Sequence, residues 1–395
     1  MRVLLVSDVY FPRVNGVSTS IGTFRADLSR LGIETVLVAP EYPGGAAAAE
    51  PGVLRVPGGR VPGDPEDRRM RWRDLERTLR HLRTQRFDLV HIQTPFIAHY
   101  AGMRFARRAG IPCIATYHTF FEEYLHHYVP VLPRRIGRPL ARAFTRSQCA
   151  GMRALVAPSE PLRQVLRDYG VQTPVHVIPT GLPADRFRDG EPGRFRALAG
   201  LPADRPLVTY IGRVAHEKNI DFLVRVFARV RRIVPSALLV IAGEGPAREP
   251  LRRAVAERGL AEDVRFVGYL DRDTTLLDCY AAASVFVFAS RTETQGLVLL
   301  EAMAQGTPVV ATAELGTRSI LAPACGALIA PESEEPFAAA VVRVLTDPQL
   351  HGTLSEQGRI YARGWSSSSM AGRLAELYRA LVDPATGASE LRKIA

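Results

Sequence analysis

Two carboxylates, Glu293 and Glu301, flank a glycine-containing segment that follows an apolar run. The run, residues 283–289, is rich in β-branched and aromatic residues and carries no charge, which predicts an interior strand. After Gly296, apolar residues recur at intervals of three and four, as on one face of a helix. A helix rises about 1.5 Å per residue, so the two carboxylates lie on the order of 10 Å apart, too far to share one proton. We expect them to contact different parts of an extended ligand.

Each carboxylate taken alone also has a simpler explanation. Glu293 fits a helix N-terminal carboxylate favoured by the helix dipole, and Glu301 fits a solvated helix residue. Ala302 and Met303 continue the apolar face around Glu301, however, and a carboxylate beside such a face needs a partner. Because the free N–H groups of a helix start suit anions and polyhydroxyl groups, the segment predicts a ligand site at the carboxyl end of a strand.

A cationic loop follows another apolar run, residues 207–211, and contains Arg213 and Lys218. The chain holds two lysines among its 51 basic residues, so a lysine in this loop departs from the chain's own composition. A compact ammonium group suits a point contact with phosphate, whereas a guanidinium group offers a planar fork. A loop after a strand that offers one guanidinium and one ammonium group predicts a site that binds a diphosphate. A solvated basic turn would explain either residue alone.

The N-terminal segment has the pattern of a phosphate cradle. A short apolar strand, residues 2–7, is followed by the turn signal Asn15-Gly16 and then by Ser18, Thr19 and Ser20, which can cap the next helix. A strand, a glycine loop and a helix start together suit phosphate, but an ordinary turn between strand and helix explains the pattern equally well.

A further strand is predicted at residues 113–117, and histidines follow it in the sequence. His118 lies at its carboxyl edge, where a lone histidine is more often structural than catalytic. The vicinal histidines in the segment 120–130 lack a third ligand at metal-binding spacing, so we predict no metal site. The four cysteines include no Cys-x-x-Cys pair, so neither a zinc site nor a disulfide framework is indicated.

Strand and helix patterns alternate along the chain, which is typical of α/β folds with doubly wound parallel sheets. The chain of 395 residues is long enough for two domains with full cores. A segment rich in proline and glycine, residues 179–183, predicts a linker and places the boundary near residue 182. We therefore expect domains at 1–182 and 183–364, followed by a helix at about 365–382.

Charge is distributed unevenly along the chain. Residues 1–182 carry 25 Lys and Arg against 15 Asp and Glu, whereas residues 183–395 carry 26 against 25. No apolar run approaches the roughly 20 residues needed to span a bilayer, and the apolar start is too short for a signal peptide. The sequence therefore predicts a cytoplasmic protein whose basic N-terminal half faces an anionic partner.

Arginines accumulate between Glu123 and Glu160, a stretch without acidic residues. The expected membrane or acceptor surface consists of Arg134, Arg135, Arg138, Arg142 and Arg146. Four of these arginines recur every fourth residue and form one stripe on a helix that starts or kinks at Pro139, which predicts docking on anionic lipid. A second basic stretch runs from Arg68 to Arg86. Simple solvation is the alternative for both stretches, and nucleic acid is a less suitable partner because no aromatic-interleaved basic strand or zinc-finger spacing occurs.

Glu293 and Glu301, with Gln295-Gly296 between them, resemble the Glu-x7-Glu signature of retaining glycosyltransferases of family 4, which have the GT-B fold. The loop with Arg213 and Lys218 resembles the diphosphate-binding motif of that family. The resemblance implies two Rossmann-like domains facing a central cleft, with the terminal helix returning to the first domain. It also implies an enzyme that needs no metal or other cofactor.

The resemblance also implies a role for individual residues. The first glutamate contacts the donor sugar, the second binds the nucleotide ribose, and backbone amides between them hold sugar hydroxyls. His118 lies beside the sugar, and Gly16 lies under the diphosphate. The implied donor-binding residues are Gly16, Arg213, Lys218, Glu293, Thr294, Gln295, Gly296, Leu297, Val298 and Glu301, and the implied catalytic residues are His118, Arg213, Lys218 and Glu293.

Within the family, the segment 120–130 and the form of the donor loop, Glu-Thr-Gln-Gly, are most similar to bacterial α-glycosyltransferases that add sugar to diacylglycerol. This similarity implies transfer of a hexose from UDP-glucose to a membrane lipid by a protein attached peripherally to the inner face of the membrane, with no nucleic-acid partner. A GDP-mannose-dependent α-mannosyltransferase acting on a phosphoinositol lipid or polysaccharide is the alternative. A non-catalytic module that binds nucleotide sugars is the alternative from another class.

Overall fold

The computed structural model describes residues 1–43, 50–61, 64–118 and 134–383, and for residues 64–67 and 134–138 it describes the backbone alone. The segment 120–130, on which the similarity to diacylglycerol-modifying enzymes depends, lies outside the described residues together with its vicinal histidines. The side chains of Arg134, Arg135 and Arg138 lie outside the description too.

The chain forms two compact units. The first comprises Met1–Thr180 and the segment that starts at Ser367, and the second comprises Gly181–Ser366. The division therefore falls inside the segment rich in proline and glycine. The last helix, Ser367–Val382, belongs to the first unit, where Leu374 and Tyr378 are buried in its core.

Within the described residues, the first unit has a sheet of seven parallel strands in the order β3-β2-β1-β6-β7-β8-β9. These strands are β1 Arg2–Val6, β2 Glu34–Pro40, β3 Val53–Val56, β6 Leu89–Ile92, β7 Cys113–Thr116, β8 Ala154–Ala157 and β9 Val175–Val177. An antiparallel hairpin, β4 Gly58–Val61 and β5 Asp64–Met70, forms a second, two-stranded sheet. The helices are Gly16–Arg30, Trp72–Leu82, Ile97–Ala109, Arg134–Cys149, Glu160–Asp168 and Ser367–Val382.

Strand β1 shows why an uninterrupted apolar run forms an interior strand. Side chains alternate between the two faces of a sheet, so Val3 and Leu5 enter one core cluster and Leu4 and Val6 enter another on the opposite face. Both faces of the sheet are thus covered, as expected for parallel strands.

The second unit, whose residues are all described, has a sheet of six parallel strands in the order β12-β11-β10-β13-β14-β15. They are β10 Leu207–Ile211, β11 Leu238–Ala242, β12 Val264–Gly268, β13 Val285–Phe288, β14 Val309–Ala311 and β15 Ala327–Ile329. The helices are Pro192–Leu198, Ile220–Ile233, Arg248–Glu257, Thr275–Ala282, Leu297–Ala304, Thr317–Leu321, Glu334–Thr346 and Pro348–Arg363, with 3₁₀ turns at Ala184–Phe187 and His216–Lys218.

Each sheet reverses its winding direction once. In the second unit the chain runs from β10 outward to β12, then returns to β13 beside β10 and runs outward the other way. In the first unit β1 and β6 are the corresponding neighbours. Ligands of open parallel sheets collect at the carboxyl ends of such neighbouring strands. The loops that follow these four strands are therefore the places to look for a site.

One local expectation was wrong. Asn15 caps the first helix by accepting a hydrogen bond from the Ser18 N–H, because its extended backbone aims the side chain at that group, so the serine cluster is not the cap. Of the two alternatives for the arginine-rich helix, a start at Pro139 does not occur, because the helix begins at Arg134 and contains Pro139 in its interior. The second basic stretch starts on strand β5, which contains Arg68 and Arg69, and continues into the helix Trp72–Leu82.

Candidate active site

Lys218 and Glu293 meet at the reversal point of the second sheet. The Lys218 Nζ atom donates a hydrogen bond to Glu293 Oε2 at 2.8 Å, and both side chains are largely shielded from solvent. Lys218 ends a 3₁₀ turn after β10, and Glu293 lies in the loop after β13. Asn219, in the left-handed conformation at φ 56°, ties the two loops together because its Nδ2 donates to the Ala289 carbonyl at 3.3 Å. The fold thus joins two residues that are 75 positions apart.

The electrostatics of Glu293 favour its ionised form. Burial by itself would raise the pKa of this carboxyl group, but Lys218 and the backbone N–H groups of Gln295 and Gly296 outweigh burial and hold the pKa below its usual range. The amides of Gln295 and Gly296, which the family resemblance assigns to sugar hydroxyls, therefore donate to the Glu293 carboxylate in this structure. A bound ligand would have to share or replace these hydrogen bonds.

The helix Leu297–Ala304 starts directly after this loop. Gly296 precedes it at φ +100°, a conformation that side chains other than glycine rarely adopt, and no side chain caps the helix start. Leu297, Val298 and Thr294 are partly exposed around it. An uncapped helix start beside a lysine suits the negative charge of a phosphate group.

Glu301 lies one turn into the helix and is buried at 5% exposure. Its Oε1 accepts a hydrogen bond from Arg272 Nη2 at 3.2 Å, and its Oε2 accepts one from the Tyr280 hydroxyl at 3.0 Å. These are the partners that a buried carboxylate requires. Sequence reasoning identified Glu301 but missed Arg272 and Tyr280.

Arg213 and Lys218 share one loop but have different partners. The Arg213 guanidinium lies 3.7 Å from the Glu217 carboxylate, while the Arg213 carbonyl accepts a hydrogen bond from the buried Tyr210 hydroxyl at 3.0 Å. The glycines at 243 and 245 have a packing role. A Cβ atom on Gly243 would lie 2.0 Å from the Gly212 carbonyl oxygen, so close approach to the cationic loop requires glycine there.

The first unit has a row of polar side chains across the carboxyl ends of three neighbouring strands. Asp8 follows β1, Gln93 and Thr94 follow β6, and His118 follows β7. The Thr94 hydroxyl donates to Asp8 Oδ2 at 2.7 Å, and His118 Nε2 lies 3.1 Å from Gln93 Oε1. Sequence reasoning placed His118 at this edge but missed its three neighbours.

Gly16 is the first residue of the helix that follows β1. A Cβ atom built on it would meet nothing within 4 Å, so the backbone here is open to a ligand. Gly16 and His118 belong to the first unit, and the other residues assigned to donor binding or catalysis belong to the second.

Asp8 accepts hydrogen bonds from the backbone N–H groups of Phe96, Ile97 and Ala98 at the start of helix Ile97–Ala109. Burial nevertheless prevails over these bonds and raises the pKa of Asp8 from 3.8 to about 6. A carboxyl group with a raised pKa in the folded protein contributes stability at low pH, and that contribution is lost as the pH rises through about 6.

We therefore expect Asp8→Asn to stabilise the protein at pH 8 by about 1 to 3 kcal/mol, with the difference from wild type disappearing near pH 4, because a pKa shift of one unit corresponds to about 1.4 kcal/mol. Urea unfolding at both pH values measures this. Asp168→Asn, which changes an exposed helix carboxylate, is the control and should change the free energy of unfolding at pH 8 by less than about 0.5 kcal/mol. An equal effect of Asp8→Asn at both pH values would contradict the prediction.

The helix Arg134–Cys149 exposes both charge and apolar surface. Arg142 and Arg146 are exposed, as are Leu140 at 54% and Phe144 at 36%, whereas Ala141 and Thr145 face the core. Arg142 also lies over the Tyr169 ring, 5.2 Å from its centroid.

No described helix is long and apolar enough to cross a membrane. Among the described side chains, no group of three or more His, Cys, Asp or Glu is arranged to hold a metal ion.

Two family profiles match the chain. The profile described as Glycosyltransferase Family 4 matches residues 14–186, and the one described as Glycosyl transferases group 1 matches residues 194–361. The first profile thus covers most of the N-terminal part of the first unit, without the segment that starts at Ser367, and the second covers most of the second unit.

Curated relatives extend these matches. An alpha-monoglucosyldiacylglycerol synthase of Streptococcus pneumoniae is 32% identical over 318 residues, which cover 79% of this chain and 71% of the relative. The enzyme of the same name from Acholeplasma laidlawii is 25% identical, over 97% of this chain and 98% of its own. A GDP-mannose-dependent alpha-mannosyltransferase of Mycobacterium tuberculosis is 29% identical, over 92% and 93% of the two chains.

Solved structures show the same fold at lower identity. A sucrose-phosphate synthase from Thermosynechococcus elongatus superposes with a TM-score of 0.78 at 23% identity, covering 96% of this chain and 98% of the other. HepE from Anabaena, in complex with UDP and glucose, superposes with a TM-score of 0.78 at 16% identity, covering 96% and 100%. These similarities confirm two Rossmann-like units of the GT-B class.

Proposed function

Because the chain belongs to glycosyltransferase family 4, we propose that it is a retaining hexosyltransferase that moves glucose from UDP-glucose to a membrane lipid such as diacylglycerol, forming an α-glycosidic bond. The observation that carries the proposal is the contact between Lys218 and Glu293 at the reversal point of the second sheet. This contact places a cation and an acceptor of hydrogen bonds side by side, beside an uncapped helix start.

The donor supplies the negative charge that this site accommodates. As the bond to the sugar breaks, charge grows on the leaving diphosphate, and preorganised cations stabilise it without later rearrangement. Lys218 and Arg213 are the cations of the loop, and phosphate oxygens would replace Glu293 as the partner of Lys218. Glu293 would then accept hydrogen bonds from sugar hydroxyls. The leaving phosphate would take the proton of the acceptor hydroxyl, so Glu293 is not assigned as a nucleophile and no metal is required.

Asp8 favours an uncharged acceptor over a phosphoinositol. Its carboxylate already occupies the N–H groups at the start of helix Ile97–Ala109, which is the kind of site that would otherwise hold an acceptor phosphate. A second anion there would be repelled. The hydroxyl of diacylglycerol meets no such repulsion, and two of the curated relatives are named for glucosyldiacylglycerol synthesis.

Attachment to the inner face of the membrane is part of the proposal. The helix Arg134–Cys149 exposes Leu140 and Phe144 next to Arg142 and Arg146, and exposed apolar side chains beside arginines suit an anionic lipid surface. Docking through this helix would bring a protein that acts from the cytoplasm to a lipid acceptor in the membrane.

Because one relative is named a GDP-mannose-dependent alpha-mannosyltransferase, the experiment also tests GDP-mannose as the donor. The protein is incubated with radiolabelled UDP-glucose, UDP-galactose or GDP-mannose and with anionic vesicles that contain diacylglycerol, and the organic phase is counted. We expect label in lipid from UDP-glucose, and less label with vesicles made of neutral lipid alone.

Other outcomes identify the alternatives. Label from GDP-mannose in vesicles that contain phosphatidylinositol would favour the mannosyltransferase. Nucleotide release without labelled lipid from any donor would move the acceptor to a soluble glycan or metabolite. Binding of a nucleotide sugar without release of the nucleotide would leave only the non-catalytic binding module.

A further inference from the structure

We propose that Gln93 is the positioning residue for His118, and that its amide oxygen fixes the imidazole as the tautomer protonated on Nε2. The two side chains are in hydrogen-bond contact, with His118 Nε2 at 3.1 Å from Gln93 Oε1. An amide oxygen accepts and does not donate, so the nitrogen facing it must carry the proton. His118 Nδ1 then keeps its lone pair and can accept a hydrogen bond from a sugar or acceptor hydroxyl. The proposal rests on the proposed function insofar as His118 contacts substrate.

Gln93 is itself held firmly. Its side chain is buried at 6% exposure, and its backbone N–H donates to the Val6 carbonyl at 2.9 Å, which ties it to the central strand β1. A buried residue fixed to the sheet at its backbone has few alternative rotamers. It can therefore orient a neighbouring ring more strictly than a side chain on a free loop could.

A similar contact joins the residues that lie two positions earlier on the same two strands. His91 Nε2 lies 2.7 Å from the Thr116 hydroxyl, and His91 Nδ1 lies 2.6 Å from the Tyr378 hydroxyl of the last helix. Gln93 and His118 are each two residues beyond His91 and Thr116, so both contacts join the same faces of neighbouring strands. The contact between Gln93 and His118 thus continues a hydrogen-bonded row that is anchored to the last helix.

Burial keeps the His118 ring uncharged, and the amide at position 93 preserves that state. Burial lowers the pKa of His118 to about 4, so the imidazole is neutral near pH 7. Burial and His118 lower the pKa of His91 to about 3, so this neighbouring imidazole adds no charge near pH 7. His99, Tyr117 and Cys149 line the same cavity as His118, and burial lowers the pKa of His99 to about 4, so it is uncharged near pH 7 as well. A carboxylate at position 93 would stabilise the imidazolium instead, whereas the amide accepts the same hydrogen bond without a charge.

Two variants separate hydrogen bonding from charge. Gln93→Met keeps the approximate size of the side chain and removes the acceptor, so we expect kcat/KM to fall about tenfold while the unfolding midpoint stays close to wild type. Gln93→Glu keeps the acceptor and adds a charge, so we expect the acidic limb of the kcat/KM profile to move toward neutral pH.

A double-variant test decides whether Gln93 acts through His118. In a His118→Ala background, Gln93→Met should cost less than twofold, because the residue it positions is gone. An equal loss in both backgrounds would overturn the proposal, since it would assign Gln93 a role independent of the imidazole.

The tautomer is measured directly by ¹⁵N NMR of histidine side chains in the full-length protein, with His118 assigned by comparison with His118→Ala. We expect the Nε2-protonated form in wild type and a mixture of tautomers in Gln93→Met. The Nδ1-protonated form in wild type would overturn the proposal. This measurement needs no acceptor, so its outcome is independent of whether diacylglycerol is the acceptor.

Discussion

Replacing Lys218 by alanine should lower kcat/KM at least about 30-fold, which corresponds to about 2 kcal/mol of transition-state stabilisation, while the fold remains intact. Lys218 is a cation at the carboxyl edge of the second sheet, beside an uncapped helix start. If it neutralises charge that grows on the leaving diphosphate, its removal acts mainly in the transition state. The fall should therefore appear in kcat more than in KM.

Loss of Lys218 also leaves Glu293 without its cationic partner. Burial raises the pKa of Glu293 and Lys218 lowers it, so the pKa would rise in this variant and part of the lost activity could come from the carboxylate. The variant Lys218→Ala combined with Glu293→Gln removes this second effect, because an amide carries no charge to be left unpaired. If phosphate neutralisation is the main role of Lys218, the double variant stays at least as impaired as Lys218→Ala.

A matched control is Arg229→Ala, on the helix that follows the same loop. Arg229 pairs with Glu334 at an exposed position, where ion pairs contribute little. We expect its kcat/KM to stay within about twofold of wild type. The measurement is steady-state kinetics of the wild type, Lys218→Ala, the double variant and Arg229→Ala with the donor found in the transfer assay. Near-normal activity of Lys218→Ala would refute the diphosphate role.

The sequence alone pointed to Lys218, Glu293 and Glu301 as candidate site residues, but it did not identify their partners. Lys218 stood out because the chain otherwise uses arginine, and the segment around Glu293 stood out because a strand pattern changes to a helix pattern there. The contact between them depends on β13 lying beside β10. That neighbourhood follows from where the sheet reverses direction, which local periodicity does not encode.

The polar residues at the carboxyl ends of the strands in the first unit were missed for a different reason. Asp8, Gln93 and Thr94 are single polar residues just after predicted strands, and a single polar residue has no period to detect. Their positions were nevertheless a usable signal, since the carboxyl ends of strands are where ligands and catalytic side chains collect. Arg272 and Tyr280 were missed because they contact the Glu301 carboxylate from 29 and 21 positions away in the sequence, and a local pattern does not show such contacts.

The strands of the first unit were predicted less completely than those of the second. Strands β3 and β8 of the first unit and β15 of the second were not predicted, because each has only three or four residues. The hairpin β4 and β5 was not predicted because it contains glycine, proline and several charged residues, which are usually depleted in strands. An interior strand such as β1 was predictable because its apolar run is buried on both faces.

Replacing Gly316 by alanine should lower kcat/KM about 100-fold or more, the largest effect we expect from adding one methyl group. Gly316 has helical backbone angles, φ −63° and ψ −29°, which alanine adopts freely. Its added Cβ, however, would lie 2.0 Å from the Thr294 carbonyl oxygen and 2.5 Å from the Gln295 nitrogen. Both neighbours are backbone atoms of the donor loop, so the loop must move.

The displacement reaches Glu293 directly, because the Gly316 N–H donates to the Glu293 carbonyl at 2.9 Å. A shift of about 1 Å in a positioning element can reduce a rate by about two orders of magnitude. Gly352→Ala is the matched control, since Gly352 lies in the helix Pro348–Arg363 and its added Cβ meets nothing within 4 Å. It should retain wild-type activity and gain slight stability.

Donor affinity by calorimetry and kcat/KM by the transfer assay, together with the unfolding midpoint, distinguish a moved loop from a lost fold. We expect Gly316→Ala to bind the nucleotide sugar weakly and to keep a cooperative unfolding transition. Wild-type affinity and turnover in this variant would show that the donor loop tolerates displacement. In that case the contact between Lys218 and Glu293 would not need the backbone position that Gly316 imposes, and the donor site would have to be assigned to residues outside this loop.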